Sequence, residues 1–225
     1  MNIKICTPVV GKTLDEFLDN LKKTENVSDF VELRVDYIEK LKPEDIGIIY
    51  EAKSKEAIFT CRPKNEGGRF AGSENERIEI FNSAKNLDFE YIDIELETLK
   101  INQIERNPKT KLIVSYHNFQ ETPSYWDMQS IIHEMNKFQP DVIKIATILK
   151  EEYETTKIYR LLTNKPHNEE RIVIGMGENG KMTRVLGPLL GSYLTYASTE
   201  WGESAPGQIA IEEMKNIYHT LLSCT

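Results

Sequence analysis

Eight short runs of branched and aromatic residues, spaced by stretches with helical patterning, constrain this chain more than any other feature. The runs occupy residues 3–9, 30–36, 57–62, 91–96, 112–117, 142–148, 172–177 and 194–198. Helix-like stretches cover 14–23, 77–87, 124–138, 153–162 and 208–222. Thr13 and Ser124 each stand three positions before an acidic residue, as in a capping box, and Pro43 suits a first helical turn. Strands joined through helices run parallel and are covered by those helices. The rhythm predicts an α/β fold, a single (β/α)8 TIM barrel with residues 1–225 as one domain. The rival is an open doubly wound sheet, and no GxGxxG or P-loop pattern follows the first run to favour it.

Successive side chains on a strand point to opposite faces, so each run can be sorted in two. Val31, Leu33 and Val35 oppose Glu32, Arg34 and Asp36. In the third run Ile58, Thr60 and Arg62 oppose Phe59 and Cys61; in the fourth, Ile92, Ile94 and Leu96 oppose Asp93 and Glu95. Val114 and Tyr116 oppose Ser115 and His117, and Ile143, Ile145 and Thr147 oppose Val142, Lys144, Ala146 and Ile148. An antiparallel sheet with one wet face gives the same alternation. With helices outside, however, the polar face lines the barrel, where charge is costly unless paired or used. Barrels carry their active sites at the C-terminal strand ends, which is where Arg34, Arg62, His117 and Lys144 fall.

Lys144 stands among Ile143, Ile145, Ala146 and Ile148. Desolvation and nearby cations such as Arg34 and Arg62 would favour its neutral, nucleophilic amine. A lysine paired with Glu32 or Asp93 fits the same pattern, and the strand alone does not separate the two readings. His117 ends the neighbouring strand, within reach of anything attached to Lys144. No HxH or HExxH spacing occurs, so no metal is expected. Three loops add polar groups. Glu66-Gly67-Gly68-Arg69-Phe70 could orient His117 through Glu66, or be a simple glycine turn. The segment 175–184 sets Arg184 near a helix start, suited to a carboxylate or phosphate. Segment 201–208, with Ser204 and Gln208, has the composition of a lid, although turn chemistry explains Pro206-Gly207 equally well.

Composition excludes several alternatives. The formal net charge of −8, without a cluster of Lys and Arg, argues against a nucleic-acid partner. No apolar run reaches the roughly 18–20 residues that cross a bilayer, and no signal-peptide pattern opens the chain, so a cytoplasmic protein is expected. Cys6, Cys61 and Cys224 are odd in number without CxxC spacing; neither a disulfide framework nor a zinc site is predicted, and Cys6 and Cys61 read as small core residues.

Six segments, in order, resemble the type I 3-dehydroquinate dehydratases of the shikimate pathway. They are Glu32-Leu33-Arg34-Val35-Asp36; Thr60-Cys61-Arg62 with Glu66-Gly67-Gly68; Ser115-Tyr116-His117-Asn118-Phe119; Val142-Ile143-Lys144; 176–184; and Ser204-Ala205-Pro206-Gly207-Gln208. The resemblance covers nearly the whole chain. It implies a cofactor-free hydro-lyase of aromatic amino acid biosynthesis that converts 3-dehydroquinate to 3-dehydroshikimate through an imine on Lys144. His117 would then be general base and acid, with Glu66 orienting it. Glu32, Arg34 and Arg62 would contact ring hydroxyls, and Arg184, Ser204 and Gln208 the carboxylate end. A homodimer is the family expectation. Two departures stand out: the first strand begins by Ile3, which leaves the closure of the barrel bottom open, and Thr183 precedes Arg184 where relatives often have serine. The competing readings are an aldolase-type Schiff-base lyase and a non-catalytic carboxylate-binding barrel.

Overall fold

The computed structural model describes residues 3–202 and 204–223. Cys224 lies outside the described residues. Among the described residues nine parallel strands form one curled sheet. They are β1 (Ile5–Val9), β2 (Phe30–Arg34), β3 (Glu56–Thr60), β4 (Tyr91–Glu95), β5 (Lys111–Asn118), β6 (Val142–Ile148), β7 (Arg171–Met176), β8 (Thr195–Ser198) and the two-residue β9 (Ile209–Ala210). Strands β1 to β7 pair in sequence, β1 also pairs with β8, and β9 adds to the far side of β8. The ring closes where the chain ahead of β8 meets β7, through a parallel bridge between Arg171 and Ser192 and the Tyr193 N–H donating to the Arg171 carbonyl at 2.7 Å. The expected β/α barrel is therefore present, with β9 as a strand the sequence did not predict.

Among the described residues eight α-helices surround the sheet: α1 (Leu14–Glu25), α2 (Pro43–Ala52), α3 (Glu74–Ser83), α4 (Leu96–Ile101), α5 (Tyr125–Asn136), α6 (Thr155–Thr163), α7 (Lys181–Leu186) and α8 (Ile211–Ser223). Thr13 and Ser124 cap α1 and α5 by accepting the N–H of the residue three positions on, and Pro43 opens α2. The outward strand residues Val31, Leu33, Phe59, Ile92, Ile94, Val114, Ile143 and Ile145 are buried beneath these helices. Each such side chain contributes roughly 1.5–3 kcal/mol by leaving water. No helix of the described residues is long and apolar enough to cross a membrane.

Inside the barrel, each strand changes character along its length. Phe30, Ile58, Tyr91, Ile113, Val142 and Ile172 form an apolar floor. Two residues further on, Glu32, Thr60, Asp93, Ser115 and Lys144 are all buried. The floor itself is plugged by aromatics: Phe30 and Tyr91 pack at 5.4 Å, the Tyr91 and Tyr193 hydroxyls hydrogen-bond, and Lys4 Nζ lies 4.7 Å over the Tyr193 ring. That answers how the barrel bottom closes. Cys6 and Cys61 are free, buried thiols, as expected of small core residues.

One charge links the helix layer to the lumen. Arg77 of α3 is 1% exposed and donates from Nη1 to Glu95 Oε2 and the Cys61 carbonyl, both at 2.8 Å, while Nη2 reaches Glu74 at 2.7 Å. Removing one partner of a buried pair strands the other. Arg77→Ala is expected to lower unfolding free energy by about 3 kcal/mol or more in urea titration. Glu74→Ala, at the half-exposed end, should cost less than about 1 kcal/mol; equal losses for the two would contradict this view of the network.

Candidate active site

The upper lumen begins with Asp93. Its Oδ2 accepts from Lys144 Nζ at 2.8 Å, and its Oδ1 accepts from Ser115 Oγ at 2.6 Å. Arg62 Nη2 lies 2.7 Å from Oδ1 at an angle that makes the contact ionic, not a hydrogen bond. Arg62 Nη1 meanwhile donates to Glu95 Oε1 and Ser115 Oγ, both at 2.6 Å. Burial raises the cost of a charge on Asp93, but Arg62 and then Lys144 outweigh it and hold its carboxyl well below the usual range. Lys144 Nζ also donates to Glu32 Oε1 at 3.2 Å, an oxygen that accepts from Thr60 at 3.2 Å. Sequence patterning predicts cations around the amine; the groups that touch it are carboxylates, with Arg62 one step behind them. The ion-paired reading of Lys144 thus describes its resting contacts.

Strand register sets the second pair. Ser115 lies opposite Lys144, and His117 opposite Ala146, so His117 stands one lumenal step above the lysine on the adjacent strand. Its Nδ1 and its backbone N–H both face Glu66 Oε2, at 3.0 and 3.2 Å. Glu66 reaches there from a tight turn over Lys64–Glu66, closed by Gly67 at φ +77°. A Cβ on Gly67 would lie 2.1 Å from the Phe119 ring, so only glycine fits between this turn and the end of β5. Burial, followed by Glu95, pushes the Glu66 carboxyl up to about 8 although Arg62 opposes it. Burial, with Arg62 and Lys144 adding, holds the His117 imidazole well below its ordinary value. Both directions favour uncharged partners sharing one proton across Nδ1···Oε2, with Nε2 the ring nitrogen left for the cavity.

The remaining predicted residues close the top. Arg34 pairs with Asp36 through Nε and Nη2, both at 2.8 Å, and lies 5.0 Å from the Tyr37 ring. Arg184 is buried at the fourth position of the short α7, and its Nη2 donates to the Pro206 carbonyl at 3.2 Å. A helix of six residues adds little dipole, so recognition there rests on the guanidinium itself. Thr183 uses its hydroxyl on backbone, accepting from Gly175 N–H and donating to the Gly180 carbonyl. In the 201–208 segment, Ser204 N–H donates to Gln208 Oε1 at 3.0 Å. Gly207, at φ +76°, passes so near Gly177 that a Cβ would lie 2.4 Å from its carbonyl.

Glu32, Arg34, Arg62, Glu66, His117, Lys144, Arg184, Ser204 and Gln208 all line one cavity, together with Phe119, Ala146, Ile174, Met176, Tyr196 and Ala205. The sequence named Asp93 only as a possible partner of Lys144 and did not single out Glu95 or Ser115, though their alternation placed all three on the polar face. Tyr196 gave no signal, because a tyrosine in an apolar run reads as core. A larger cleft between 10–16, 36–43 and 69–80 lies outside this lumen and holds none of the predicted residues. Among the described residues no group of three or more His, Cys, Asp or Glu is placed to hold a metal ion.

A buried lysine and a carboxyl-paired histidine open on one small lumenal cavity at the C-terminal strand ends, where β/α-barrel enzymes carry their active sites. Residues 5–223 match the family model for type I 3-dehydroquinase. A 3-dehydroquinate dehydratase of Coxiella burnetii (strain CbuK_Q154) is 44% identical over 216 residues, which cover 96% of this chain and 92% of that protein. One from Methanococcus maripaludis (strain C6) is 38% identical over 218 residues, covering 95% and 97%. The crystal structure of the Aquifex aeolicus VF5 dehydratase superposes with TM-score 0.81 at 30% identity, over 97% of this chain and 98% of that one. That of Geobacillus kaustophilus HTA426 gives 0.85 at 22%, a likeness of fold, over 99% and 92%. The chain belongs to the type I 3-dehydroquinase family. It is a hydro-lyase, and the aldolase and non-catalytic readings fall away.

The pairing of His117 with Glu66 has a direct spectroscopic consequence. With Glu66 pushed up to about 8 and His117 held low, ¹⁵N NMR should show His117 uncharged at pH 6, while the Glu66 carboxyl carbon titrates near 8. An imidazolium at pH 6 beside a carboxylate titrating near its ordinary 4.3 would contradict the assignment.

Proposed function

We propose that dehydration of 3-dehydroquinate proceeds through an imine on Lys144, with His117 moving the protons. The observation that carries this reading is the facing of Lys144 and the Glu66-held His117 into one cavity from adjacent strands. The substrate ketone and the lysine ammonium together make an iminium and one water, with no proton left over. The ammonium must lend one proton while its nitrogen attacks the carbonyl carbon. Asp93, gripped by Lys144, Arg62 and Ser115 at 2.6–2.8 Å, is a poor store for it. Glu32, touched only at 3.2 Å by Lys144 and Thr60, is the better one.

Once formed, the protonated imine draws electrons from the neighbouring carbon and acidifies its C–H. His117 takes that proton through Nε2 while Glu66 accepts from Nδ1. The same nitrogen then returns a proton to the departing hydroxyl, which leaves as water. Hydrolysis of the iminium frees the conjugated enone and Lys144. Arg184, with Ser204 and Gln208, would hold the substrate carboxylate, the latter two exchanging their mutual hydrogen bond for contacts to it. Glu32, Arg34 and Arg62 would meet the ring hydroxyls. We further propose that the chain works as one catalytic domain on this small molecule, as a cytoplasmic homodimer without nucleic acid or added cofactor.

Borohydride reduction in the presence of 3-dehydroquinate should fix an adduct that mass spectrometry maps to Lys144; turnover without such an adduct would sink the imine. Lys144→Ala should lose adduct and activity together. His117→Ala should still trap an adduct but turn over roughly 10²–10⁴-fold more slowly; near-normal rates would remove His117 from the proton path.

The sign of the pH dependence follows from Glu66. Below about 8 its carboxyl keeps the proton that Nδ1 would otherwise carry, and His117 presents Nε2–H. Above it the carboxylate accepts Nδ1–H and Nε2 becomes a base. Turnover limited by proton abstraction is expected to rise through about 8 and level off. Glu66→Gln should erase that inflection and slow turnover about 10–100-fold; an unchanged inflection would assign it to another group.

A further inference from the structure

Tyr196, on β8, lines the catalytic cavity and is 3% exposed. Its ring lies against the amine, with Lys144 Nζ 4.7 Å from the ring centroid. Its hydroxyl is buried yet has no hydrogen-bond partner among the described residues. Leaving a phenol O–H buried and unmatched is unfavourable, and a phenylalanine would fill the same space without that penalty. A donor kept free beside a nucleophile suits a ligand that brings its own oxygen. Glu32, Asp93 and Arg62 do not serve as its partners; they are engaged with Lys144, Thr60, Ser115 and one another.

The oxygen that must come to this place is the one on the carbon that Lys144 attacks. Attack brings that carbon to bonding distance of Nζ, which lies 4.7 Å from the Tyr196 ring centroid, so its oxygen is delivered beside the ring that carries the unmatched hydroxyl. We propose that Tyr196 is a catalytic residue for imine formation, its O–H donating a hydrogen bond to the ketone oxygen as that oxygen gains charge. The inference rests on the imine reading above. In the step, the nitrogen lone pair forms the C–N bond and the C=O π pair moves onto oxygen. The proton lent by the ammonium then returns to that oxygen and makes it a hydroxyl; the nitrogen, now positive with two hydrogens, passes one of them to that hydroxyl through Glu32, and the oxygen departs as water as the freed lone pair closes the C=N bond. Tyr196 keeps its own proton throughout. Burial, reinforced by Glu32, pushes the phenol well above its usual value, so it donates a hydrogen bond without ionising. A donor aimed at charge that exists only in the transition state accelerates the step without tightening ground-state binding.

Tyr196→Phe deletes the hydroxyl and keeps the ring. The variant should fold with an unchanged or higher melting temperature, because it removes only an unmatched polar group. In rapid-quench experiments with borohydride, adduct formation at Lys144 should slow by about 100-fold, with little change in KM. Because imine formation then limits turnover, the deuterium isotope effect on kcat for substrate labelled at the abstracted C–H should fall toward unity. A purely structural role would not move that isotope effect. Native protein that traps no adduct would remove the imine reading itself. Native protein that traps one, with Tyr196→Phe trapping it equally fast and keeping the native isotope effect, would overturn the role of Tyr196 alone.

Discussion

Asp93 is the fixed point of this barrel's interior. It is fully buried, yet it holds Lys144 on one oxygen and Ser115 and Arg62 on the other. A carboxylate in such a place survives only because the cations around it are as buried as it is. The dependence runs both ways, since Asp93 is the one carboxylate that meets both Lys144 and Arg62, beside Glu32 on the first and Glu95 on the second. From Arg62 the chain of charge passes to Glu95, then to Arg77, and so through the sheet to Glu74 at the surface. The lumen is not a set of separate ion pairs; it is one network anchored in α3.

The barrel turns that network into a site through a simple gradient. Lumenal positions at the N-terminal strand ends are apolar, those two residues on are polar or charged, and the loops above them carry Glu66, Ser204 and Gln208. The lumen is therefore plugged from below by Phe30, Tyr91 and Tyr193, while Ser204, Ala205 and Gln208 line the cavity from above. In so dry a space burial becomes a chemical instrument. It keeps His117 uncharged and Glu66 able to hold a proton near neutral pH.

Much of this was legible in the sequence because strands and barrels follow short periods. Alternation alone put Glu32, Arg34, Asp93, Ser115, His117 and Lys144 on one face, and the order of motifs joined Glu66, Arg184, Ser204 and Gln208 to them. Pairing was legible only in part. The cation that reaches Glu95 comes from Arg77, whose helical spacing gives no hint that its side chain turns inward across the strand layer. Lys144 was readable either as an amine among Arg34 and Arg62 or as the partner of Glu32 or Asp93; the second describes its contacts, because Arg34 is taken by Asp36 and Arg62 by Asp93 and Glu95. Strand β9 is two residues long, too short for any period to show. Tyr196 hides for another reason: its aromatic ring satisfies the core pattern and conceals that its hydroxyl is unmatched.

The central claim is that one cavity lets Lys144 bond the substrate while His117 moves its protons. A crystal structure of the protein reduced with borohydride in the presence of 3-dehydroquinate tests it most directly. The predicted result is continuous density from Nζ of Lys144 to a substrate ring carbon. His117 would stand beside that carbon's neighbour, and the substrate carboxylate would lie on Arg184. A substrate bound in the cavity with its carboxylate toward Lys144, or a covalent bond to any other residue, would contradict it.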